Sequence, residues 1–296
     1  MVQVRTHNSA QEFLLAVGAE LEAREAANSL ILGVCGQLAE HPERYQMPVC
    51  LKTVEEKGAL RLAVTMTPPH NLLLTGHPER AKECAEELAA SLAREGWKIP
   101  GVFGPVELAR IVVEQLASVL KQPFHLDQSL RMYDLTRVEL SAPEGGRLRK
   151  AGPADLERIT RWWHAARLEM MGRADPEECK KTAAYKLTDG DVFIWDTGEP
   201  VSMACKTRPT KRGISVGMVY TPPELRRRGF ATACVSELSR LLLREGRAYC
   251  TLYADLANPV SNSIYQKIGY RPIGDFEEYG FVSFADQKSG QGIGIQ

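Results

Sequence analysis

The chain has 296 residues, with 37 Lys+Arg against 37 Asp+Glu and a formal net charge of zero. That balance argues against a polybasic nucleic-acid binder, a cationic membrane-surface protein and an acidic disordered tail, and 44% hydrophobic residues is an ordinary globular share. The length suits one large domain or two of ordinary size. Seven Cys are odd in number, scattered and without CxxC spacing, which predicts reduced thiols, a cytoplasmic protein and no metal site. No apolar run approaches the ~20 residues that span a bilayer, and the first 13 residues lack an apolar signal core. Neither membrane nor nucleic acid is therefore an expected partner.

In chain order, residues 8–25 and 27–39 have helical periodicity, with Phe13, Leu14, Val17 and Leu21 on one face. Residues 47–67 read as two strands around a turn near Lys57-Gly58, and Asn71–Thr75 as a buried strand. Pro78 is placed to open a helix to about Glu95, with Ala81, Ala85, Leu88 and Leu92 inward and Gly96 as its stop. Pro105 similarly opens a helix to about Lys121, and residues 130–140 read as a closing strand. The Pro/Gly-bearing stretch 141–146 then marks a boundary. This gives an N-terminal α/β domain at 1–140 and a second domain at 147–284. A Gly/Gln/Ser-rich tail at 285–296 is expected to fray.

From Arg147 the alternation restarts. A short strand at 148–150 is followed by helices at 153–171 and 176–187. Strands are expected at 192–196, 201–209 and 213–221, then a helix at 229–245, a strand at 248–255, a short helix at 260–268 and a strand at 277–284. The order in both halves is helices, a strand pair, a third strand, helix, strand, helix, strand. Both halves also carry Thr-Pro-Pro, at 67–69 and 221–223. A duplicated fold is one reading of this order, and an unrelated α/β first domain is the other.

The chemistry concentrates at 216–243. An apolar strand ends at Met218, Val219 and Tyr220. A loop follows through Arg226, Arg227, Arg228 and Gly229, and a helix opens with Phe230, Ala231 and Thr232. The first turn of a helix has N–H groups without internal partners and a positive dipole end, so it suits a pyrophosphate. Gly229 and Ala231 leave room for phosphate oxygens, arginines at the rim can pair with more of them, and Thr232 can add a hydroxyl. Taken alone, three arginines before a helix describe a solvated loop equally well. The loop is neither GxGxxG nor GxxxxGK[ST].

A second element follows the next strand: Asn258, then a helix carrying Ser261 and Tyr265, then Gly269-Tyr270. Together the two elements resemble the GNAT superfamily of CoA-dependent N-acyltransferases. Arg226, Gly229 and Ala231 meet its [Q/R]xxGx[G/A] signature. Asn258, Tyr265 and Gly269-Tyr270 meet the second. The resemblance covers 147–284. It implies an α/β (α+β type) fold with a mixed, splayed central sheet flanked by helices, and acetyl-CoA as cosubstrate with no metal. Pantetheine would lie against the backbone of Met218, Val219 and Tyr220. The pyrophosphate would sit on the amides from Arg226 to Ala231. Asn258, with Ser261 in the same turn, would bind the cofactor, and Tyr265 would stand near its sulfur. The N–H of Val219 would stabilise the oxyanion and Tyr265 would protonate the leaving thiolate. The acceptor would be a small-molecule amine or a peptide, attacked in a ternary complex by a monomer or homodimer. A longer acyl-CoA substrate and a non-catalytic acyl-CoA sensor are the alternatives.

One departure stands out. Many members of the family carry an acidic base on the strand before the loop, and residues 215–220 here hold none. That departure leaves the base open: water relayed to Glu224, Asp255 or a more distant acid is one alternative, and an acceptor amine of low pKa, which needs less help, is another. Residues 1–140 lack the [Q/R]xxGx[G/A] loop. At the corresponding place stand residues 70–81, or alternatively Gly101–Ala109, which has Gly104-Pro105 before a helix but no second signature after it. The first half is thus similar to the half of tandem GNAT proteins that has lost its cofactor. Trp162 and Trp163 read as core residues, one of them able to line a substrate pocket. Cys205, Cys234 and Cys250 read as small buried hydrophobes.

Overall fold

The structure is a computed structural model that describes residues 1–45, 47–141, 144–172 and 174–282. The tail at 285–296, and part of the boundary at 141–146, lie outside the described residues. The chain divides into two compact units. The first holds Met1–Met132, Asp255–Ala257 and the chain from Gly274. The second holds Tyr133–Ala254 and Asn258–Ile273.

The first unit runs β1 (Val2–Thr6), α1 (Ala10–Ala23), α2 (Ser29–Glu40), β2 (Cys50–Glu56), β3 (Ala59–Met66), β4 (Leu72–Gly76), α3 (Ala81–Arg94), β5 (Gly101–Pro105), α4 (Val106–Leu120) and β6 (Phe124–Leu135). Its strands are ordered β1-β2-β3-β4-β5. The pairings are antiparallel up to β4, and β4 and β5 run parallel. Alternation sorts the side chains. Leu51, Leu60 and Ala63 meet Phe13, Val17, Leu21, Ile31 and Cys35 of α1 and α2. Val54, Leu62, Val64 and Leu72 meet Leu88, Leu92, Leu108, Val112 and Leu116 of α3 and α4.

The second unit repeats the order: β7 (Arg147–Lys150), α5 (Leu156–Met171), α6 (Pro176–Thr188), β8 (Val192–Asp196), β9 (Pro200–Thr207), β10 (Gly213–Tyr220), α7 (Phe230–Arg244), β11 (Tyr249–Asp255), α8 (Pro259–Ile268) and β12 (Arg271–Phe281). Its strands are ordered β7-β8-β9-β10-β11, antiparallel except for the parallel pair β10–β11. One sheet face carries Ile214, Val216, Cys250, Leu252 and Ala254 against Val235, Leu238 and Leu242 of α7 and Tyr265 and Ile268 of α8. The other carries Met203 and Cys205 against Ile159, Trp163 and Ala183 of α5 and α6. Arg149 locks the start of this unit. It donates to Asp196 at 2.7 Å and to both Asp155 carboxylate oxygens at 2.7 and 2.8 Å.

Each half therefore reads strand, two helices, three strands, helix, strand, helix, strand. The last strand of each is shared out. Phe124–Met132 of β6 belong to the first unit and Tyr133–Leu135 to the second. Arg271–Ile273 of β12 belong to the second unit, and Gly274–Phe281 to the first, where the segment pairs antiparallel with β5. Several sequence readings shift. α3 opens at Ala81 and not at Pro78, because Arg80 takes a left-handed φ of 54° and residues 78–80 form a separate turn. β6 begins at Phe124, six residues before the expected start, and ends at Leu135. β12 starts at Arg271, two residues after the left-handed Gly269 that ends α8. The two Thr-Pro-Pro stretches follow β3 and β10, so they are not counterparts. All seven cysteines are free and buried. Among the described residues no helix is long and apolar enough to cross a membrane, and no group of His, Cys, Asp and Glu is arranged to hold a metal.

Candidate functional site

The central feature is where β10 leaves its neighbours. β10 pairs with β11 through Gly213–Tyr249, Ile214–Cys250 and Ser215–Thr251. The last step is fastened by a buried hydrogen bond between the Ser215 and Thr251 hydroxyls at 2.8 Å. Beyond it the two strands part. On the other side, Gly217 is opposite Cys205 and Tyr220 is opposite Met203, so Met218 and Val219 share one partner position. That extra residue is a β-bulge, and Met218 takes it up with a left-handed φ of 47°. A bulge leaves backbone groups outside the ladder and turns the strand locally. The sequence-predicted strand end Met218, Val219 and Tyr220 is thus the bulged edge of a splayed sheet. The Tyr220 carbonyl already accepts a bond from Ser202 Oγ at 3.1 Å.

The loop after β10 delivers the chain to α7. Arg227 has φ 61° and Gly229 has φ 81°, both left-handed. Alternation of this kind lets successive N–H groups converge into an anion-binding concavity. Gly229 is the N-cap and supplies no side-chain cap, and α7 carries no acidic residue in its first turn. The first intrahelical bond runs from Ala233 N–H to the Gly229 carbonyl at 2.9 Å. The N–H groups of Gly229, Phe230, Ala231 and Thr232 therefore precede the helical ladder. A Cβ built on Gly229 meets nothing within 4 Å, so the cradle is open.

The arginines have different tasks. The Arg226 side chain is engaged by its own neighbours. Its Nε donates to the Thr221 carbonyl at 2.9 Å, and its terminal nitrogen donates to both Glu169 oxygens at 2.8 Å. Its guanidinium also lies 5.7 Å from the Tyr220 ring centroid. Arg226 thus pins the loop to α5 and β10. Arg228 lies over the Phe230 ring at 4.9 Å, and Arg227 is exposed.

On the far side of the splay, Asn258 caps α8. Its Oδ1 accepts from the Ser261 N–H at 3.0 Å, and its carbonyl accepts from Asn262 Nδ2 at 2.8 Å. The Ser261 amide is thereby committed to the cap. Tyr265 is buried, its ring centroid 6.0 Å from that of Tyr270 and 6.4 Å from that of Tyr133. Burial pushes its phenol up to about 12, so it is protonated at neutral pH. Tyr133 is fully buried and donates to Asn262 Oδ1 at 2.7 Å, which ties β6 to α8.

Two residues escaped the sequence reading. Glu169 binds the loop arginine across 57 positions, a distance no local motif spans. Asp134 lies on β6, which neighbours β11. Its flanking residues Tyr133 and Leu135 pack with Cys250, Leu252 and Ala254. Strand alternation therefore turns Asp134 to the opposite face, the one that carries Thr251 and Tyr253. Burial raises its pKa, a property suited to a proton acceptor. Of the relays expected from the sequence, Glu224 is exposed in the short turn after β10, and the Asp255 carboxylate accepts the Ala257 N–H at 2.8 Å.

The first unit closes off the same features. A Cβ on Gly104 of β5 would meet Leu74 Cγ and Cδ1 of β4 at 2.7 Å, so Leu74 packs directly over Gly104. At the start of α3, Glu83 stands in the first turn, and the backbone N–H there holds its carboxyl below the usual range. The left-handed N-cap residue is Arg80, which is paired with Glu56 and bonded to Glu83 at 3.4 Å.

Comparisons with known proteins agree with this geometry. Residues 197–281 match the family model described as FR47-like protein. No curated protein matches by sequence. A Drosophila protein of a structural genomics programme superposes with a TM-score of 0.68 at 15% identity, covering 94% of this chain and 98% of that one. A GCN5-related N-acetyltransferase from Sphaerobacter thermophilus gives 0.60 at 15% identity, with 95% of each chain covered. A tandem GNAT protein from the clavulanic acid biosynthesis pathway gives 0.53 at 15% identity, covering 95% of this chain and 98% of that one. With a splayed β10–β11 pair, an uncapped α7 and a whole-chain match to a tandem relative, this chain has the fold of the GNAT superfamily.

Proposed function

We propose that the second unit transfers an acetyl group from acetyl-CoA to an amine, and that the first unit is a copy that no longer binds the cosubstrate. The observation that carries this reading is the uncapped, acid-free start of α7 beside the strand gap that opens after Ser215. The amides from Gly229 to Thr232 would hold the pyrophosphate, with Arg227 at the rim. The backbone of Met218 and Val219 and the Asn258 side chain would hold the pantetheine arm. Bound there, acetyl-CoA supplies an activated acyl carbonyl and a thiolate leaving group.

The amine nitrogen forms its bond to the acyl carbon as the carbon–sulfur bond breaks. One proton leaves the nitrogen and one arrives at sulfur. Val219 N–H is the donor for the developing oxyanion. Asp134, directly or through one water, receives the proton of the amine. The Tyr265 phenol donates to the sulfur. A phenol at about 12 is a weaker acid than a thiol at about 8.5, so Tyr265 keeps its proton and hydrogen-bonds the developing charge, the thiolate takes its proton from water as it leaves, and the proton received by Asp134 passes to solvent.

The test is release of CoA thiol with acetyl-CoA and a panel of amines, read against protein without amine. Amine-dependent release that Tyr265→Phe suppresses by ~100-fold supports the reading. Acetyl-CoA binding without turnover of any amine would favour an acyl-CoA sensor.

A further inference from the structure

Three tyrosines of the second unit lie side by side, and their hydroxyls are used differently. The Tyr265 ring of α8 stands between Tyr133 of β6, at 6.4 Å, and Tyr270, at 6.0 Å, centroid to centroid. The Tyr270 hydroxyl is bonded to Ser239 Oγ of α7 at 2.8 Å. The Tyr133 hydroxyl donates to Asn262 Oδ1 of α8 at 2.7 Å. Among the described residues no hydrogen bond or charge acts on the Tyr265 hydroxyl, which burial alone perturbs. Two of the three phenols are thus spent inside the fold, and they flank the one that is not.

The Tyr133 bond is one step of a directed chain. Asn258, Asn262 and Gln266 follow one another at steps of four, so they share one face of α8 and its cap. Asn262 Nδ2 donates to the Asn258 carbonyl at 2.8 Å, and Gln266 Nε2 donates to the Tyr133 hydroxyl at 3.3 Å. A carbonyl only accepts, so Asn262 must turn Nδ2 to Asn258 and Oδ1 to Tyr133. Tyr133 must then donate, which leaves its oxygen to accept from Gln266. The Asn258 carbonyl also takes the Asn262 N–H, at a longer 3.3 Å, so the side chain makes the shorter bond in the first turn. Tyr133 is fully buried, whereas Asn258 is exposed. The chain is therefore anchored at its strand end and reaches the surface at the helix cap.

Apolar packing of α8 through Ile268 and Tyr265 is non-directional, and a hydrogen bond has a direction. The Tyr133–Asn262 bond therefore resists sliding or rotation of α8 against β6. That helix carries Asn258 at its cap and Tyr265 three residues beyond Asn262, so any such movement displaces both.

We propose that Tyr133 is a positioning residue for the transfer: its hydroxyl, through Asn262, sets α8 so that the Asn258 side chain and the Tyr265 hydroxyl meet one thioester. It acts through the helix and not on the reacting atoms. This inference rests on the transferase reading given above.

The experiment is a set of double-mutant cycles in the thiol-release assay, run well below the Tm of every variant. Tyr133→Phe keeps the ring against Tyr265 and removes only the hydroxyl. Its kcat should fall by ~10-fold and its KM for acetyl-CoA should rise a few-fold, as a lost buried hydrogen bond and a displaced catalytic group imply. The KM for the amine should not change. Asn262→Leu should give the same losses, and combining it with Tyr133→Phe should add nothing, because both break one chain. In a Tyr265→Phe background, Tyr133→Phe should leave kcat where it is, since the hydroxyl to be positioned is gone. Circular dichroism checks the fold of each variant. A lowered Tm with wild-type kcat and KM would make Tyr133 a packing residue and overturn the inference. So would additive losses with Asn262→Leu, or a further fall of the same size in the Tyr265→Phe background. The transferase reading fails differently, when the wild type binds acetyl-CoA but releases thiol with no amine. Calorimetry then decides the positioning of Asn258 by itself: acetyl-CoA binding weakened a few-fold in Tyr133→Phe supports it, and unchanged binding, or none to the wild type, overturns it.

Discussion

The turn from β4 to α3 in the first unit and the turn from β10 to α7 in the second occupy the same place in a repeated order of elements, yet only one is open to an anion. At α7 the N-cap is a glycine, the first turn has no acid, and Arg227 stands at the rim. At α3 a glutamate of the first turn already sits on the helix's own N–H groups, and the N-cap arginine is spent on Glu56 and Glu83. The strand gaps differ in the same sense. Leu74 packs against Gly104 across the β4–β5 pair, whereas β10 pairs with β11 only as far as Ser215–Thr251. In the proposed reading, the first unit keeps the element order, and a carboxylate on a helix N-terminus and a leucine against Gly104 stand where the second unit is open.

The largest expected effect probes the chemistry of the open copy. Tyr265→Phe removes the hydroxyl proposed to hydrogen-bond the leaving sulfur and keeps the packing against Tyr133 and Tyr270. Turnover should fall by ~100-fold or more while acetyl-CoA affinity changes little. Equal losses in affinity and turnover would show that Tyr265 serves packing alone.

Gly229→Val attacks the cradle. At φ 81° a β-branched residue is strained by ~1–2 kcal/mol or more, so acetyl-CoA affinity should fall by ~10-fold or more. The measurement is calorimetry, with circular dichroism to check the fold.

Asp134→Asn separates activity from stability. The folded-state pKa of Asp134 is raised, so the native protein holds this proton more tightly than the unfolded chain does. Its ionisation therefore costs stability, beginning near the unfolded value of about 3.9 and complete above the raised folded value. Removing the charge should raise Tm at pH 7 and leave it little changed at acid pH. Turnover should fall, and the limb of the kcat/KM profile that reports the base should disappear. A lower Tm at pH 7, or full activity, contradicts the role.

The smallest effect is expected at the loop anchor. Arg226 and Glu169 are about half exposed, so their pair contributes on the order of 1 kcal/mol or less. Glu169→Gln should raise the KM for acetyl-CoA by a few-fold through a looser loop, without a change in kcat.

Much of the second unit was legible because its signals are local. The Arg226–Ala231 loop, the Asn258 cap and Tyr265 lie in short stretches whose spacing is set by one turn and one helix. Gly96, Gly246 and Gly269 end their helices with positive φ, as a reading of helix stops expects. What stayed hidden depends on distant pairing. β6 starts in a polar run, His125–Gln128, that becomes a strand only through neighbours far along the chain. Asp134 lies on β6 and Glu169 on α5, and no spacing rule connects them to β11 or to Arg226. The absence of an acid on β10 was visible in sequence, but the carboxylate proposed in its place, on another strand, was not.

The most direct test of the asymmetry between the two units is the stoichiometry of acetyl-CoA binding, measured by calorimetry on the wild type, Gly229→Val and Glu83→Ala. The account predicts one equivalent per chain for the wild type, weakened by Gly229→Val and unchanged by Glu83→Ala. Two equivalents per chain, or a single equivalent that withstands Gly229→Val and responds to Glu83→Ala, would contradict it.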